Sequence, residues 1–225
     1  MNNLKTLLAT TILATSFSTA AFSQISVGIS AAYGNFDGEA RETNVTAKAA
    51  KSGDADFPFA SIFAEYSTTL DKSWKLAIGL DYIPLSTEIE SMTRSSTSQN
   101  AGAGQNGTGN TTAKMELKNH ATLYIQPSYM IDQTLSIFGK VGYSQADLDI
   151  NSSNAATGSS LNKKDTLEGY LVGVGIQNNI SKTAFVRLEA NYTDYDDVTY
   201  TNTTGTKFTG DGKLMAAKIS IGTSF

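Results

Sequence analysis

The chain has 225 residues, of which 40% are hydrophobic and 17% charged, and 17 basic against 21 acidic side chains leave a formal net charge of −4. A mildly acidic chain without clustered Lys and Arg carries no electrostatic footprint for nucleic acid, and a charge content this low is unusual for a soluble domain. With no cysteine there is no disulfide framework, no thiolate metal site and no thiol nucleophile.

At the N-terminus Lys5 supplies a small positive segment, and Leu7 to Phe17 form a short apolar run broken by small hydroxyl residues. Ala21-Phe22-Ser23 then offers the small residues that a signal peptidase needs. This pattern predicts an exported chain cleaved before Gln24, with residues 1–23 as signal peptide and 24–225 as one domain. The apolar run is too short and too polar to cross a bilayer as a helix, and no cysteine follows it to make a lipoprotein. Removal of Lys5 leaves 16 basic against 21 acidic residues, or −5.

Eight segments of the remaining chain alternate with a period of two, the spacing at which a strand shows its two faces. Ile25 to Phe36 is the first. Around Phe59 to Leu70 the second sets Ile62, Ala64 and Tyr66 against Ser61, Phe63 and Glu65, and the third sets Trp74, Leu76, Ile78, Leu80 and Tyr82 against Lys75, Ala77, Gly79 and Asp81. In the fourth Leu123, Ile125 and Tyr129 oppose His120, Thr122, Tyr124 and Gln126, and in the fifth Ile137, Val141 and Tyr143 oppose Phe138, Lys140 and Ser144. The sixth alternates Tyr170, Val172, Val174 and Ile176 with Leu171, Gly173, Gly175 and Gln177. The seventh alternates Val186, Leu188, Ala190 and Tyr192 with Arg187, Glu189 and Asn191. In the eighth Ala217, Ile219, Ile221, Thr223 and Phe225 alternate with Lys218, Ser220, Gly222 and Ser224. Each is long enough for a tilted strand of about 9–11 residues to cross a bilayer.

The connections alternate too. Short turns are expected at Asp71–Ser73, Ile131–Thr134 and Asn178–Lys182, and long polar loops near Asp37–Asp56, Ser86–Lys114, Asp149–Thr166 and Thr193–Gly212. Short turns at one end and long loops at the other suit a membrane barrel with both termini on the short-turn side; a β-sandwich would space its connections more evenly. A soluble ligand-binding barrel would turn its apolar face inward. Here the other face carries Glu65, Lys75, Asp81, Lys140, Arg187, Glu189 and Lys218, which a greasy cavity would not accept. Aromatics on the apolar face recur at strand ends (Tyr33, Tyr66, Trp74, Tyr82, Tyr129, Tyr143, Tyr192, Phe225), as two interfacial girdles would require. Pro58, Pro84 and Pro127 are expected near strand ends, where a missing N–H matters least.

The terminal Lys218-Ile219-Ser220-Ile221-Gly222-Thr223-Ser224-Phe225 and the stretch Val186-Arg187-Leu188-Glu189-Ala190-Asn191-Tyr192 give the chain its resemblance to the small eight-stranded bacterial outer-membrane barrels of the outer-membrane protein A, X and opacity-protein type. The resemblance covers essentially the whole mature chain. It implies an all-β, eight-stranded antiparallel up-and-down barrel in the outer membrane, among lipid and lipopolysaccharide. It also implies that Ile219, Ile221, Thr223 and Phe225 form the signal read by the barrel-insertion machinery. With nothing after Phe225, a peptidoglycan-binding domain and a cell-wall tether are not expected.

An eight-stranded barrel is only wide enough for its own side chains, and charges inside must pair. Glu65, Asp81 and Glu189 can be matched by Lys75, Lys140, Arg187 and Lys218. Two readings follow: a structural ion-pair network, or a narrow gated ion path eased by inward Gly28, Gly79, Gly142, Gly173, Gly175 and Gly222. A lipid A-modifying enzyme is a third reading, but the single histidine, His120, has the lumen phase and no Ser-His-acid spacing is assignable. Gly173-Val174-Gly175 lies in mid-strand with no helix after it, so it is not a nucleotide-binding turn. Asn-x-Ser/Thr sites such as Asn44-Val45-Thr46 reflect polar loop composition. No cofactor is implied.

The stretch from Ser95 to Asn110 is composed of Ser, Thr, Gln, Asn, Gly and Ala, buries nothing and is expected to be mobile. Loops on a rigid scaffold are where binding is usually placed, so adhesion or recognition of an extracellular ligand is the functional expectation, against simple surface shielding. Asp194, Asp196 and Asp197, with Asp211 across the same hairpin, are weak candidates for a divalent cation; no dedicated metal site is expected.

Overall fold

A computed structural model describes residues 23–43, 51–99, 106–154, 159–201 and 207–225. The expected signal peptide falls, except for Ser23, outside the described residues. Nine strand segments follow in order: β1 (Ser23–Thr43), β2 (Lys51–Thr69), β3 (Trp74–Ile83), β4 (Thr87–Gln99), β5 (Asn106–Met130), β6 (Leu135–Asn154), β7 (Ser159–Asn179), β8 (Ala184–Thr201) and β9 (Lys207–Ser224). Every neighbouring pair is antiparallel, and β1 pairs with β9 to close the ring β1-β2-β3-β5-β6-β7-β8-β9. β4 continues β3 after a break at Pro84-Leu85-Ser86, so nine segments make eight spanning strands.

Residues of one parity point outward. Ile29, Ile62, Ile78, Ile125, Val141, Val174, Leu188 and Ile219 are exposed on the outer surface, with no described residue covering them. In water such a belt would drive aggregation; in hydrocarbon it is the contact surface. Tyr33, Tyr143 and Tyr170 rim one edge of the belt and Trp74, Tyr129 and Phe225 the other. Trp74 packs edge-on against Tyr129 at 5.2 Å and Tyr143 against Tyr170 at 5.6 Å.

The three short turns share one device. Asp71 Oδ1 accepts the backbone N–H groups of Ser73 and Trp74 at 2.7 and 2.8 Å, and Asp132 Oδ1 accepts those of Thr134 and Leu135 at 2.7 Å each. Ser181 Oγ accepts those of Thr183 and Ala184 at 3.3 and 2.9 Å. An oxygen on the second of the four turn residues thus satisfies the N–H groups that a tight reversal leaves unpaired.

The segments expected as long loops are largely strand. β1 pairs β2 as far as Ala40–Lys51, β5 pairs β6 as far as Thr111–Asn154, and β8 pairs β9 as far as Thr201–Lys207. The backbone ladder needs no apolar side chains to continue, whereas the apolar-outward signal stops where water replaces lipid. Residues 95–99 and 106–110 of the low-complexity stretch lie in β4 and β5, and 100–105 lie outside the described residues.

Above the lipid belt the ring divides. Pairing of β2 with β3 reaches only Ile62–Tyr82, and β4 pairs with β5 alone; pairing of β7 with β8 stops at Gly169–Tyr195. Two four-stranded sheets result, β8-β9-β1-β2 and β4-β5-β6-β7. Their facing surfaces meet in one apolar cluster: Phe36, Phe57, Tyr195 and Leu214 from the first sheet, Leu117, Ala146, Leu148 and Leu167 from the second. The external half is therefore a small sandwich with its own core. Pro58, expected near a strand end, lies inside β2 opposite Tyr33. At that level only β1 flanks β2, so the strand is an edge there and tolerates a missing donor. Opposite the β3–β4 break, β5 carries a bulge in which Asn119 takes a φ of 51°, and its amide is held by Asp147 at 2.8 Å and Tyr82 at 3.1 Å.

Candidate functional site

Inward-facing residues of the spanning strands converge on a buried charge layer at mid-barrel. Arg187 on β8 donates from both terminal nitrogens to the two oxygens of Glu65 on β2, at 2.7 and 2.9 Å. Tyr124 on β5 donates to the same carboxylate at 2.6 Å. Gln177 accepts a third guanidinium N–H at 2.8 Å, and the rings of Phe63, Phe138 and Phe185 each lie 5.2 Å from the guanidinium carbon. Planar Arg suits this place, since it satisfies a carboxylate bidentately while its faces stack on aromatics.

Lys140 on β6 donates to Glu189 at 2.8 Å and lies 4.3 Å above the Tyr124 ring. Asn191 donates to the other oxygen of Glu189 at 2.8 Å. Lys218 on β9 reaches Asp81 at 2.6 Å, Ser61 at 3.1 Å and Glu189 at 3.7 Å. Three cations and three carboxylates balance, and all six side chains are at most 10% exposed. Balance matters because an unpaired ion in this interior would cost several kcal/mol.

Of the seven lumen charges expected from the sequence, six meet in this layer. Lys75 does not. It lies lower, in a cavity at the short-turn end, and makes no ion pair among the described residues. Four of the inward glycines leave no open space beside them. A Cβ at Gly28, Gly79, Gly175 or Gly222 would come within 3.0 Å of the ring of Phe63, Tyr124, Phe138 or Phe185 respectively. Each glycine is the slot into which an aromatic from an adjacent strand leans, an interlocking that fills the interior. His120 faces the lumen, with Nε2 2.8 Å from the Tyr195 hydroxyl, so it is remote from the lipid-facing surface. It lines a cavity of about 30 Å³ between the charge layer and the apolar cluster, space for water but not for a solute.

Sequence reasoning missed the apolar cap. Phe57 sits two residues beyond inward Phe59, and Leu148 and Leu214 sit four beyond inward Ser144 and Lys218, of recognised strands. Carrying the alternation up to the edges of the presumed loops finds them.

The four acidic candidates lie on one hairpin, Asp196 and Asp197 in the irregularity between Tyr195 and Val198 that faces Asp211. Asp194 and Asp211 are on the outer face, opposite Lys213 and Glu39 respectively. Arg41 lies near Asp211 and Asp197. Its hydrogen bond from Nη2 to Glu39, at 2.8 Å, and these carboxylates hold it further in its charged form. No group of three or more His, Asp or Glu side chains placed to hold a metal occurs among the described residues. At the C-terminus Ile219, Ile221 and Phe225 face outward, Phe225 at 78% exposure, and its N–H donates to the Ile25 carbonyl at 2.8 Å. Inward Ser224 and Ser220 bond Ser26 and Ser30 at 2.8 and 2.9 Å, sealing the β1–β9 seam.

Residues 7–222 match the family described as Outer membrane protein beta-barrel domain. Among solved structures, the chain is similar to the outer membrane protein OprG from Pseudomonas aeruginosa, at 14% identity over 91% of this chain and 96% of that one, with a TM-score of 0.59. It is also similar to the outer membrane protease OmpT from Escherichia coli, at 12% identity over 93% of this chain and all of that one, with a TM-score of 0.58. At such identities the likeness is one of fold. No curated protein sequence matches the chain significantly.

Proposed function

Because the chain belongs to the outer-membrane protein β-barrel family, we propose that it is a closed, non-enzymatic surface-display protein of the outer membrane. Its barrel anchors a two-sheet external head whose strand ends and connecting loops contact a ligand or cell outside. The observation that carries this reading is the continuation of the spanning strands into a sandwich with its own apolar core. Building such a head adds nothing to membrane anchoring, yet it holds four hairpins rigidly above the surface, where recognition is usually placed. The interior supports the same reading: the charge layer, flanked by the rings that fill the glycine slots, and the apolar cap beyond it fill the lumen at two levels. In this proposal the chain is exported by a signal peptide cleaved before Gln24. The strand bearing Ile219, Ile221, Thr223 and Phe225 is what the assembly machinery recognises, and the lipid belt sits among lipid and lipopolysaccharide.

Two measurements test it. Cells displaying the protein should bind surfaces or cultured cells that control cells do not, and removal of residues 95–110 should reduce that binding while the barrel remains in the membrane. The protein in a planar bilayer should leave conductance at baseline. Stepwise conductance in the intact protein would replace display with a narrow channel as the function; adhesion unaffected by deletion of each external hairpin tip in turn would remove the display reading.

A further inference from the structure

Below the charge layer the lumen widens into a cavity of about 130 Å³ at the short-turn end, room for several waters or one small solute. Its charge is not balanced. Arg187 at its ceiling is already neutralised by Glu65, but Lys75 projects into it with no ion pair among the described residues, and Lys182 of the last turn stands at its edge. The same cavity holds an unmet acceptor. Gln126 is 3% exposed, and its Oε1 has no hydrogen-bond partner. Buried carbonyl oxygens are rarely left so. The two features are neighbours: Ala77 pairs with Gln126 and Lys75 with Ser128. Lys75 and Gln126 therefore point into the cavity from adjacent strands as a diagonal pair, with backbones about 7–8 Å apart.

We propose that this cavity is a periplasm-facing binding site for a small α-hydroxy carboxylate. The carboxylate pairs with Lys75, and the hydroxyl one carbon away donates to Gln126 Oε1. A cation alone would select any anion; a buried acceptor beside it selects an anion that also carries a donor. An α-amino acid would bring its own ammonium toward Lys75, Lys182 and Arg187, so a hydroxyl is the better donor. The cavity size limits the ligand to a few carbon atoms. The site is separate from the external head and stands whether or not that head mediates display.

The test is a titration of isotope-labelled protein, purified from outer membranes in detergent, followed by NMR. The probes are glycolate, acetate, glycolamide and inorganic phosphate. Glycolate should shift the Gln126 side-chain amide and the Ser128 backbone amide saturably, with a Kd on the order of 1–10 mM, as befits so few atoms. Acetate, lacking the donor, should bind about tenfold more weakly, and glycolamide, lacking the charge, should not bind. In Lys75→Gln the glycolate affinity should fall about tenfold or more, and Lys75→Arg should restore most of it. In Gln126→Leu glycolate and acetate should become equivalent. Spectra of each variant report directly that the barrel is folded. Absence of saturable shifts up to roughly 100 mM, unchanged affinity in folded Lys75→Gln, or tighter binding of phosphate than of glycolate would each overturn the assignment.

Discussion

Replacing Glu65 by Gln removes one charge from the most tightly built pair in the barrel and keeps the side-chain volume. Arg187 is 2% exposed and then has no anion. Its remaining polar partner is Gln177, and the nearest other carboxylate, Glu189, is held by Lys140, Lys218 and Asn191. Breaking a buried pair from one side costs about 3–5 kcal/mol, mostly the penalty of the orphaned charge. Taking a urea dependence of roughly 3 kcal/mol per molar for a domain of this size, the unfolding midpoint should drop by about 1–1.7 M. The second half of the cycle identifies the cause. Glu65→Gln combined with Arg187→Met leaves no charge to orphan, so the double variant should be less destabilised than the sum of the singles by about 2 kcal/mol or more. Urea unfolding in micelles, followed by tryptophan fluorescence of Trp74, measures both. A Glu65→Gln stability within about 0.5 kcal/mol of wild type, or strict additivity in the double variant, would refute the view that charge balance holds this layer together.

Three further outcomes are expected. Gly222→Ala should cost about 1–3 kcal/mol, because its methyl group collides with the Phe185 ring; Phe185→Leu introduced alongside should recover part of that loss in the same urea assay. Phe225→Ser should leave the stability of the folded barrel in detergent nearly unchanged, since that side chain is 78% exposed and its backbone bond to Ile25 survives. The amount of protein reaching the outer membrane should fall severalfold if the terminal residue is read during assembly; equal amounts in fractionated cells would exclude that role. On the outer face, Lys114 and Lys118 donate to Glu116 and hold its carboxyl below the usual range, while Asp149, then Glu116, hold the Lys118 ammonium above its own. A lowered carboxyl stabilises above its unfolded value and loses that contribution as pH falls through the folded one. The urea midpoint difference between wild type and Glu116→Gln should thus be constant near neutral pH and shrink below the ordinary carboxylate range; a difference independent of pH would contradict it.

Much of this protein was legible in the chain itself. Wherever one face of a strand meets hydrocarbon, the chemistry demands apolar residues at every second position. Ile25 to Tyr33, Trp74 to Tyr82 and Ala217 to Phe225 therefore announced both their conformation and their outward side. The charges at Glu65, Asp81, Lys140, Arg187, Glu189 and Lys218 marked the inward face by the same alternation. The short polar turns at Asp71–Ser73, Ile131–Thr134 and Asn178–Lys182 marked the reversals, although their side-chain oxygens at Asp71, Asp132 and Ser181 became visible only in the structure.

What the sequence left open is whatever depends on register and on contacts between distant strands. That Glu65 meets Arg187 rather than Lys75, that Phe185 fills the slot beside Gly222, and that Lys75 and Gln126 share a cavity all follow from the stagger of strands around a closed ring. Stagger is a property of the ring as a whole; no local pattern encodes it. The external sandwich stayed hidden for a related reason. Above the lipid both outer and connecting surfaces meet water and the apolar-outward signal vanishes; an inward alternation through Phe57, Leu148 and Leu214 goes on, but that two sheets close over it is decided by which strands stop pairing.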